Sequence, residues 1–145
     1  MAEHTFKCKV EWVEGKKAIL DLNGKGSIEF SYPPVFGGLE GFTYPEELFI
    51  ASVNACTLTS FLYFAERLSL KFKSYSCEAE GIVVKQPEGF HRFTRIILKP
   101  QITLEKGEDP AKAAEVFEYV RRFCIISRSI ENMVTIELQP EITIE

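Results

Sequence analysis

Hydrophobic and polar residues alternate with a period of two near the start of the chain, over Phe6–Val13. This pattern predicts a half-buried strand, with Cys8 on its apolar face. Two shorter strands are predicted at Ala18–Leu22 and Ser27–Tyr32, because the hairpin signal Asn23-Gly24 lies between them. We therefore expect a small antiparallel meander, followed by a loop rich in proline and glycine.

An uncharged stretch of 18 residues, Leu48–Ala65, comes next. Its length reaches the lower limit for a membrane span. Several hydroxyl and amide side chains interrupt it, however, and no asymmetry of Lys and Arg flanks it. A helix buried on several sides fits these features better. Thr43 and Glu46 have the spacing of a capping box, with Pro45 in the first turn, and the helix should run to about Leu68.

The second half of the chain contains two long period-two segments, Ser74–Lys85 and Phe90–Glu105. Pro100 lies inside the second segment, which predicts an edge strand or a bulge there. Asp109 and Pro110 then have the residue types of a helix cap and a first helical residue. The predicted second helix has apolar residues at helical spacing on one face: Ala113, Val116, Phe117, Val120, Phe123 and Cys124.

Alternation from Met133 to Glu145 predicts one last strand. The order β-β-β-α-β-β-α-β indicates a single α+β domain over residues 1–145, with antiparallel sheets around long helices. A sheet of this size covers only one side of a long apolar helix. We therefore expect a homodimer in which the central helices bury each other in a large apolar interface.

Composition and charge argue against several classes of function. The chain has 145 residues and a formal net charge of −4, which argues against a nucleic-acid partner. Lys and Arg are scattered, which argues against binding to a membrane surface. The N-terminus has no apolar signal segment, so we expect a cytoplasmic protein. With two His and no Cys-x-x-Cys, neither a metal nor another cofactor is predicted.

Four cysteines in such a chain are expected to be free, redox-active or buried, rather than a disulfide framework. Cys8 and Cys77 alternate with apolar neighbours and are predicted to be core residues. Cys56 lies mid-helix, too far from the helix N-terminus for the dipole to lower its pKa much. Spacing alone leaves open whether Cys56 and Cys124 are core residues or functional thiols.

The segment Thr43–Cys56 (TYPEELFIASVNAC) resembles the signature of the OsmC/Ohr family. In that family a Pro-Glu pair opens the central helix, and the peroxidatic cysteine stands ten residues after the Glu. Cys124 with Ser127 at +3 resembles the second family motif. Length and element order also match, so the resemblance covers nearly the whole chain. It implies an intertwined homodimer with both sites at the subunit interface.

The resemblance also implies roles for individual residues. Cys56 corresponds to the peroxidatic cysteine, whose thiolate attacks the O–O bond and becomes a sulfenic acid. Cys124 corresponds to the resolving cysteine, which forms a disulfide with it. Glu46 corresponds to the acidic residue that orders the site. The implied function is a thiol-dependent peroxidase for hydroperoxides in oxidative-stress defence, regenerated by an external dithiol.

Two positions depart from the family pattern. Family peroxidases usually carry an early Arg that clamps the Glu, whereas this chain has no Arg before Arg67. Lys16 and Lys17 lie in roughly the right hairpin, but a lysine does not reproduce a bidentate guanidinium clamp. Ile125 stands where the family often has Pro. The missing Arg predicts a less activated thiolate.

The sequence leaves alternatives open for both the substrate and the class of function. Phe42, Phe49 and Phe61 predict an apolar pocket suited to organic hydroperoxides, and are equally consistent with core packing. The missing Arg favours, as an alternative, a non-catalytic redox-sensing or apolar-ligand-binding member. A hot-dog thioesterase also wraps sheet around a central helix. A papain-like hydrolase is disfavoured, because neither His lies where it could serve Cys56 as a base.

Overall fold

The computed structural model describes residues 1–145 as strands and helices of a mixed α+β fold, the predicted class. The chain forms two compact units, Met1–Phe49 and Ile50–Glu145. That it is a single domain stays a prediction. The elements are β1 (Lys9–Glu14), β2 (Lys17–Asp21), β3 (Ser27–Phe30), a 3-10 turn (Pro34–Phe36), α1 (Pro45–Arg67), β4 (Phe72–Lys85), β5 (His91–Leu104), α2 (Pro110–Phe123), α3 (Ile125–Ile130), β6 (Thr135–Leu138) and β7 (Glu141–Ile144).

The first unit contains the predicted antiparallel meander, with strand order β1-β2-β3. Its second turn has positive φ at Asn23 (55°) and Gly24 (76°), the conformation that tight two-residue hairpin turns require. The prediction that one face of the first strand is buried is wrong. All six residues of β1 are exposed, as is Cys8.

The N-terminus of α1 differs by one residue from the prediction. The Tyr44 N–H donates to Glu47 Oε1 at 2.9 Å, and Leu48 N–H donates to Tyr44 O at 3.1 Å. Tyr44 and Glu47 therefore form this end of the helix, in place of Thr43 and Glu46, while Pro45 is the first helical residue as predicted. The shift leaves Glu46 outside the cap, and its Oε1 is buried without a hydrogen-bond partner.

Within the second unit, α1 contributes one stripe to the core. Its buried residues recur every four positions: Val53, Thr57, Phe61 and Ala65. The other sides stay accessible in the single chain, as Leu62 (45% exposed) and Tyr63 (51%) show. Burial on several sides is therefore absent from the isolated chain. The helix is long and apolar enough to cross a membrane, with a mean hydropathy of 1.6, but this stripe makes it a core helix.

The sheet of the second unit is mixed rather than wholly antiparallel. β5 pairs antiparallel with β4 on one side and parallel with β6 and β7 on the other. The predicted last strand is thus divided, with a break at Pro140. The edge or bulge predicted at Pro100 is also wrong, because β5 is central and its register shifts lie elsewhere. Pro100 falls between the stretches that pair with β6 and β7, so its missing N–H breaks no bond to either.

The start of α2 agrees with the prediction, since Asp109 Oδ1 accepts a hydrogen bond from Ala111 N–H at 2.9 Å. Four predicted core residues of α2 are buried. Phe123 is 52% exposed, contrary to prediction. Phe123 is the last residue of α2, and the next residue, Cys124, has an extended backbone (φ −62°, ψ 113°) and is buried as predicted. The core packs around Phe61, whose ring centroid lies 5.1 Å from that of Phe117.

Candidate functional site

Cys56 and Cys124 come together in the second unit, and a hydrogen bond links their thiols. Cys56 is half-buried in the middle of α1, whereas Cys124 is only 1% exposed. Cys124 occupies a corner of the chain. Its N–H donates to Val120 O at the end of α2, and its carbonyl accepts from Arg128 N–H in α3. The corner fixes the buried thiol against the middle of α1.

Polar groups from two elements surround the pair. Ser60, one turn after Cys56 on α1, forms side-chain hydrogen bonds to both thiols. The Ile126 N–H donates to Cys56, and the Ser127 hydroxyl and N–H contact Cys124. Ser127 belongs to the recognised motif, whereas Ser60 was missed, although its i+4 spacing from Cys56 is a usable signal.

The surroundings of Cys56 disfavour its ionisation. Burial raises the pKa of the Cys56 thiol, and the Ile126 N–H opposes this by stabilising the thiolate. The hydrogen bond to Cys124 and the charge of that sulfur raise the pKa further, while Ser60 lowers it. The net result is a pKa above the ordinary thiol value.

Cys124 is shifted the other way. Burial alone would raise its pKa, but hydrogen bonds from Ser127, Cys56 and Ser60 outweigh burial, so the pKa lies below the ordinary value. The first negative charge of the pair is therefore held on Cys124, and the Cys56 thiol donates to it. Cys124 is therefore the more acidic thiol of the two.

The two thiols lie at different cavities. Cys56 opens onto an apolar groove of about 460 Å³, named here the α1 groove. The residues that line it are Cys56, Thr59, Ser60, Tyr63, Phe64, Arg67, Phe123 and Ile125. Cys124 lines a separate cavity of about 350 Å³, together with Arg121 and Glu131. A molecule in the α1 groove meets the Cys56 sulfur, with Cys124 behind it.

The aromatic residues predicted to form the pocket lie elsewhere. Phe61 is fully buried among Phe72, Tyr75 and Phe117, with ring centroids 5.0–5.1 Å apart, and is a core residue rather than a groove residue. It belongs to the buried stripe of α1, whereas Cys56 belongs to the next stripe. Phe42 and Phe49 are half-buried in the first unit. Their role as pocket residues stays a prediction.

Three further predicted site residues belong to the first unit. Lys16 Nζ donates to Gly37 O at 2.5 Å, and Lys17 Nζ lies 3.6 Å from Glu29 Oε1. The two lysines line one cavity with Pro45, the residue directly before Glu46. Glu46 is in the first turn of α1.

Cys77 is half-buried on β4, rather than a buried core residue. Burial raises the pKa of its thiol. Asn54 Nδ2 donates to the Cys77 carbonyl at 3.0 Å, which ties this strand to α1. No cluster of three or more His, Cys, Asp or Glu side chains that could hold a metal ion occurs in the chain.

The sequence and the fold resemble those of known proteins. Residues 38–139 match the family described as OsmC-like protein. The "Uncharacterized protein YmaD" of Bacillus subtilis is 25% identical over 146 residues, covering 98% of this chain and 97% of that protein. An organic hydroperoxide resistance protein OsmC from Legionella pneumophila superposes with a TM-score of 0.80 at 22% identity, covering 97% and 99% of the two chains. The organic hydroperoxide resistance protein OhrB of Bacillus subtilis superposes with a TM-score of 0.71 at 21% identity, covering 94% and 98%. At these identities the two superpositions show the fold alone.

Proposed function

This chain belongs to the OsmC-like protein family, and from that premise we propose that it is a thiol-dependent peroxidase that reduces organic hydroperoxides. The observation that carries the proposal is the arrangement of the thiols. Cys56 lines an apolar groove, and Cys124 contacts it from the buried side. The names of the superposed Legionella and Bacillus proteins, both organic hydroperoxide resistance proteins, support it.

In the first step the Cys56 sulfur attacks the terminal oxygen of the hydroperoxide. The Cys56 proton passes to the Cys124 thiolate, to which it is already hydrogen-bonded. The Cys56 thiolate then forms an S–O bond as the O–O bond breaks, which leaves a sulfenic acid on Cys56. The departing alkoxide takes the proton from Cys124 and leaves as an alcohol. Cys124 is thus a thiolate again when the sulfenic acid has formed.

In the second step the Cys124 thiolate attacks the Cys56 sulfenic acid. An S–S bond forms, the S–OH bond breaks, and the hydroxide leaves as water after taking a proton. The lowered pKa of Cys124 suits this step, since the attacking species is a thiolate. An external dithiol then reduces the disulfide by thiol–disulfide exchange and is itself oxidised.

The proposal includes a cytoplasmic homodimer formed through α1. Ala51, Ala55, Leu58 and Leu62 recur at steps of four, three and four residues, on a different face from both Cys56 and the buried stripe. All but the half-buried Leu58 are exposed in the single chain. A matching face on a second copy would cover them.

Glu46 is proposed to order the site together with a lysine in place of the family's Arg. Its Oε1 is buried without a hydrogen-bond partner, and such an oxygen is costly to leave unpaired. Lys16 and Lys17 are the candidate cations, since they line a cavity with Pro45, the residue directly before Glu46. A lysine supplies one point charge here and no fork, consistent with weak activation of Cys56.

The test is to mix the reduced protein separately with cumene hydroperoxide and with hydrogen peroxide, and to follow free thiols and peroxide. We expect wild type to lose the Cys56 and Cys124 thiols, and faster with cumene hydroperoxide because the groove is apolar. Cys56→Ser should lose neither thiol, and Cys124→Ser should stop at a sulfenic acid. Cys8→Ser is the matched control, because Cys8 is exposed in the first unit.

A second candidate function fits two of the same observations. The raised pKa of Cys56, together with an apolar groove, also fits a non-catalytic protein that binds an apolar ligand. If Cys56 reacts with peroxide no faster than a free cysteine in solution, the peroxidase proposal fails. A ligand retained in the groove through purification, found by mass spectrometry of the extracted protein, would then support the second function.

A further inference from the structure

The cavity of about 350 Å³ that Cys124 lines with Arg121 and Glu131, named here the rear cavity, has no part in the peroxide reaction. We propose that it binds a small thiol with an amino-acid head group, which reduces the Cys56–Cys124 disulfide by attacking the Cys124 sulfur. Free cysteine is the simplest compound of this class. The inference rests on the disulfide of the proposed function, and it adds a second binding site with its own class of reductant.

The rear cavity combines a buried part with a charged, exposed rim. The buried residues that line it include Thr57, Leu98, Val120 and Cys124. Arg121 and Glu131 line the rim, where their side chains are 40% and 39% exposed. The volume is within the range of small-molecule sites, roughly 300–1,000 Å³. No residue lines both this cavity and the α1 groove, so a compound bound here approaches Cys124 without passing Cys56.

Both charged residues of the rim have hydrogen-bonding capacity left for a ligand. The Arg121 guanidinium contacts Glu118 Oε1 at 2.6 Å and donates to Leu138 O at 3.0 Å, which uses two of its five N–H donors. Glu131 Oε1 lies 3.0 Å from Arg128 Nη1, and this pair leaves the second carboxylate oxygen as an acceptor. The rear cavity therefore offers a cation and an anion to the same bound molecule.

This charge pattern complements a zwitterion. An amino-acid head group presents a carboxylate to Arg121 and an ammonium group to Glu131, and a guanidinium matches a carboxylate with two parallel N–H donors. The sulfur of such a compound then points towards Cys124 in the buried part of the cavity. The α1 groove does not match this class of compound, because no Asp or Glu lines it and the ammonium group would find no anionic partner there.

The proposed reaction is thiol–disulfide exchange in two steps. The bound thiolate attacks the Cys124 sulfur, a new S–S bond forms, and Cys56 leaves as a thiolate that takes a proton. Hydrogen bonds from Ile126 N–H and Ser60 stabilise this departing thiolate. A second thiolate attacks the bound small-molecule sulfur, which releases a symmetric disulfide and Cys124, the more acidic thiol and hence the better leaving group. Two small thiols are thus oxidised for each protein disulfide that is reduced.

The experiment oxidises the protein with diamide and compares four thiols as reductants. They are cysteine, cysteamine (ammonium only), 3-mercaptopropionate (carboxylate only) and 2-mercaptoethanol (neither charge). Each rate constant is divided by that of the same thiol with a small-molecule disulfide, which removes differences in intrinsic reactivity. We expect the largest ratio for cysteine, and peptide mapping after acid quenching should find its mixed disulfide on Cys124. Glutathione has the same head group farther from its sulfur, so its ratio shows which of the two thiols fits the site better.

Two variants separate the two charges. Arg121→Gln should lower the ratio roughly fivefold for cysteine and 3-mercaptopropionate but not for cysteamine, because only the carboxylate loses a partner. Glu131→Gln should lower it for cysteine and cysteamine but not for 3-mercaptopropionate. Arg122→Gln is the matched control and should change no ratio, since Arg122 follows Arg121 on α2 but does not line the cavity. A loss of packing alone would instead lower the ratios of all four thiols.

A trapping measurement tests the same site in the reduced protein. The Cys56→Ser protein is treated with cystine, whose S–S bond the Cys124 thiolate attacks, and with cystamine, which has no carboxylate. Relative to their rates with a free thiol in solution, we expect cystine to modify Cys124 faster than cystamine does. Arg121→Gln should remove that difference. Turnover of cumene hydroperoxide by wild type tests the peroxidase function separately.

Three results would overturn the inference. They are a mixed disulfide found on Cys56 alone, equal ratios for cysteine and 2-mercaptoethanol, and parallel losses for all four thiols in Arg121→Gln and Glu131→Gln. Failure of cystine to modify Cys124 in the Cys56→Ser protein would overturn it as well. A protein that consumes no peroxide but shows the opposite selectivities of the two variants would contradict the peroxidase proposal and support the rear cavity as a thiol site.

Discussion

At Cys124, burial and hydrogen bonding act in opposite directions on one thiol. Hydrogen bonds from Ser127, Cys56 and Ser60 overcome burial and lower the pKa, while Cys56, one contact away, has its pKa raised. The more accessible sulfur is therefore the weaker acid of the two, and its proton is hydrogen-bonded to Cys124. A reaction at Cys56 needs that proton to move first, which links the two residues in one step.

Removing Cys124 should make Cys56 more acidic. In Cys124→Ala the pKa of Cys56 loses two raising influences, the hydrogen bond to Cys124 and the charge of that sulfur, so it should fall. Alkylation by iodoacetamide, followed against pH, measures it, because only the thiolate reacts. In wild type the rate should rise with pH through a value above the ordinary thiol pKa, and in the variant it should rise at lower pH. An unchanged or higher midpoint would contradict this account of the pair.

Ser60→Ala tests the hydroxyl that contacts both sulfurs. Ser60 lowers the pKa of Cys56 and of Cys124, so both should rise in the variant and the reaction with peroxide at neutral pH should slow. Ser129→Ala serves as the control, because the Ser129 hydroxyl donates to Ile125 O within α3. Stopped-flow measurement of peroxide loss compares them. Equal rates for both variants would show that Ser60 is a packing residue only.

The residues of the site could be predicted from the sequence in part. Helical spacing left Cys56 and Cys124 undecided, and the motif resemblance alone singled them out. Ser60 was missed because its contact to Cys124 joins two distant segments. Cys8 was wrongly predicted to be buried, since alternation shows which residues share a strand face but not whether anything covers that face.

At the scale of elements, helix ends show what a local pattern determines. The cap of α2 was predicted correctly because Asp109 and Pro110 are each specific for their positions. At α1 the spacing of a capping box fits two adjacent pairs, and the structure uses Tyr44 with Glu47. Pro100 was misplaced for a non-local reason, because β6 and β7 come from the end of the chain and leave a gap beside it.

The cap of α2 should contribute measurably to stability. Asp109→Ala leaves the Ala111 N–H without its side-chain acceptor, and the free energy of unfolding should fall by about 1 kcal/mol. Glu115→Ala is the control, since it removes an exposed carboxylate from the middle of the same helix. Urea denaturation followed by circular dichroism measures both. A loss in Asp109→Ala no larger than in Glu115→Ala would show that the cap bond contributes little.

At the scale of the whole molecule, a single chain does not bury all faces of the long apolar helix α1. Its composition passes a test for a membrane span, yet Val53, Thr57, Phe61 and Ala65 are core residues. The sequence predicted a long buried helix and an α+β fold. The observed fold matches OsmC-like structures, and not the thioesterase fold considered as an alternative. Which faces stay open depends on tertiary packing, and no periodicity rule predicts that.

The proposed dimer predicts a clear effect of a charge on the open face of α1. Ala55→Glu should convert the dimer to a monomer, because a carboxylate in an apolar interface loses its hydration without a partner. Ala114→Glu on the exposed side of α2 is the matched control and should leave the dimer intact. Size-exclusion chromatography with light scattering gives the mass of each. A dimeric Ala55→Glu protein, or a monomeric wild type, would contradict this interface.

The central claim is that Cys56 and Cys124 act as one redox pair. The most direct measurement is peptide mapping by mass spectrometry after one equivalent of cumene hydroperoxide, with dimedone present for the Cys124→Ser variant. We predict a disulfide between the Cys56 and Cys124 peptides in wild type and a dimedone adduct on Cys56 in the variant. Oxidation found first at Cys8 or Cys77, with Cys56 and Cys124 still reduced, would contradict the account.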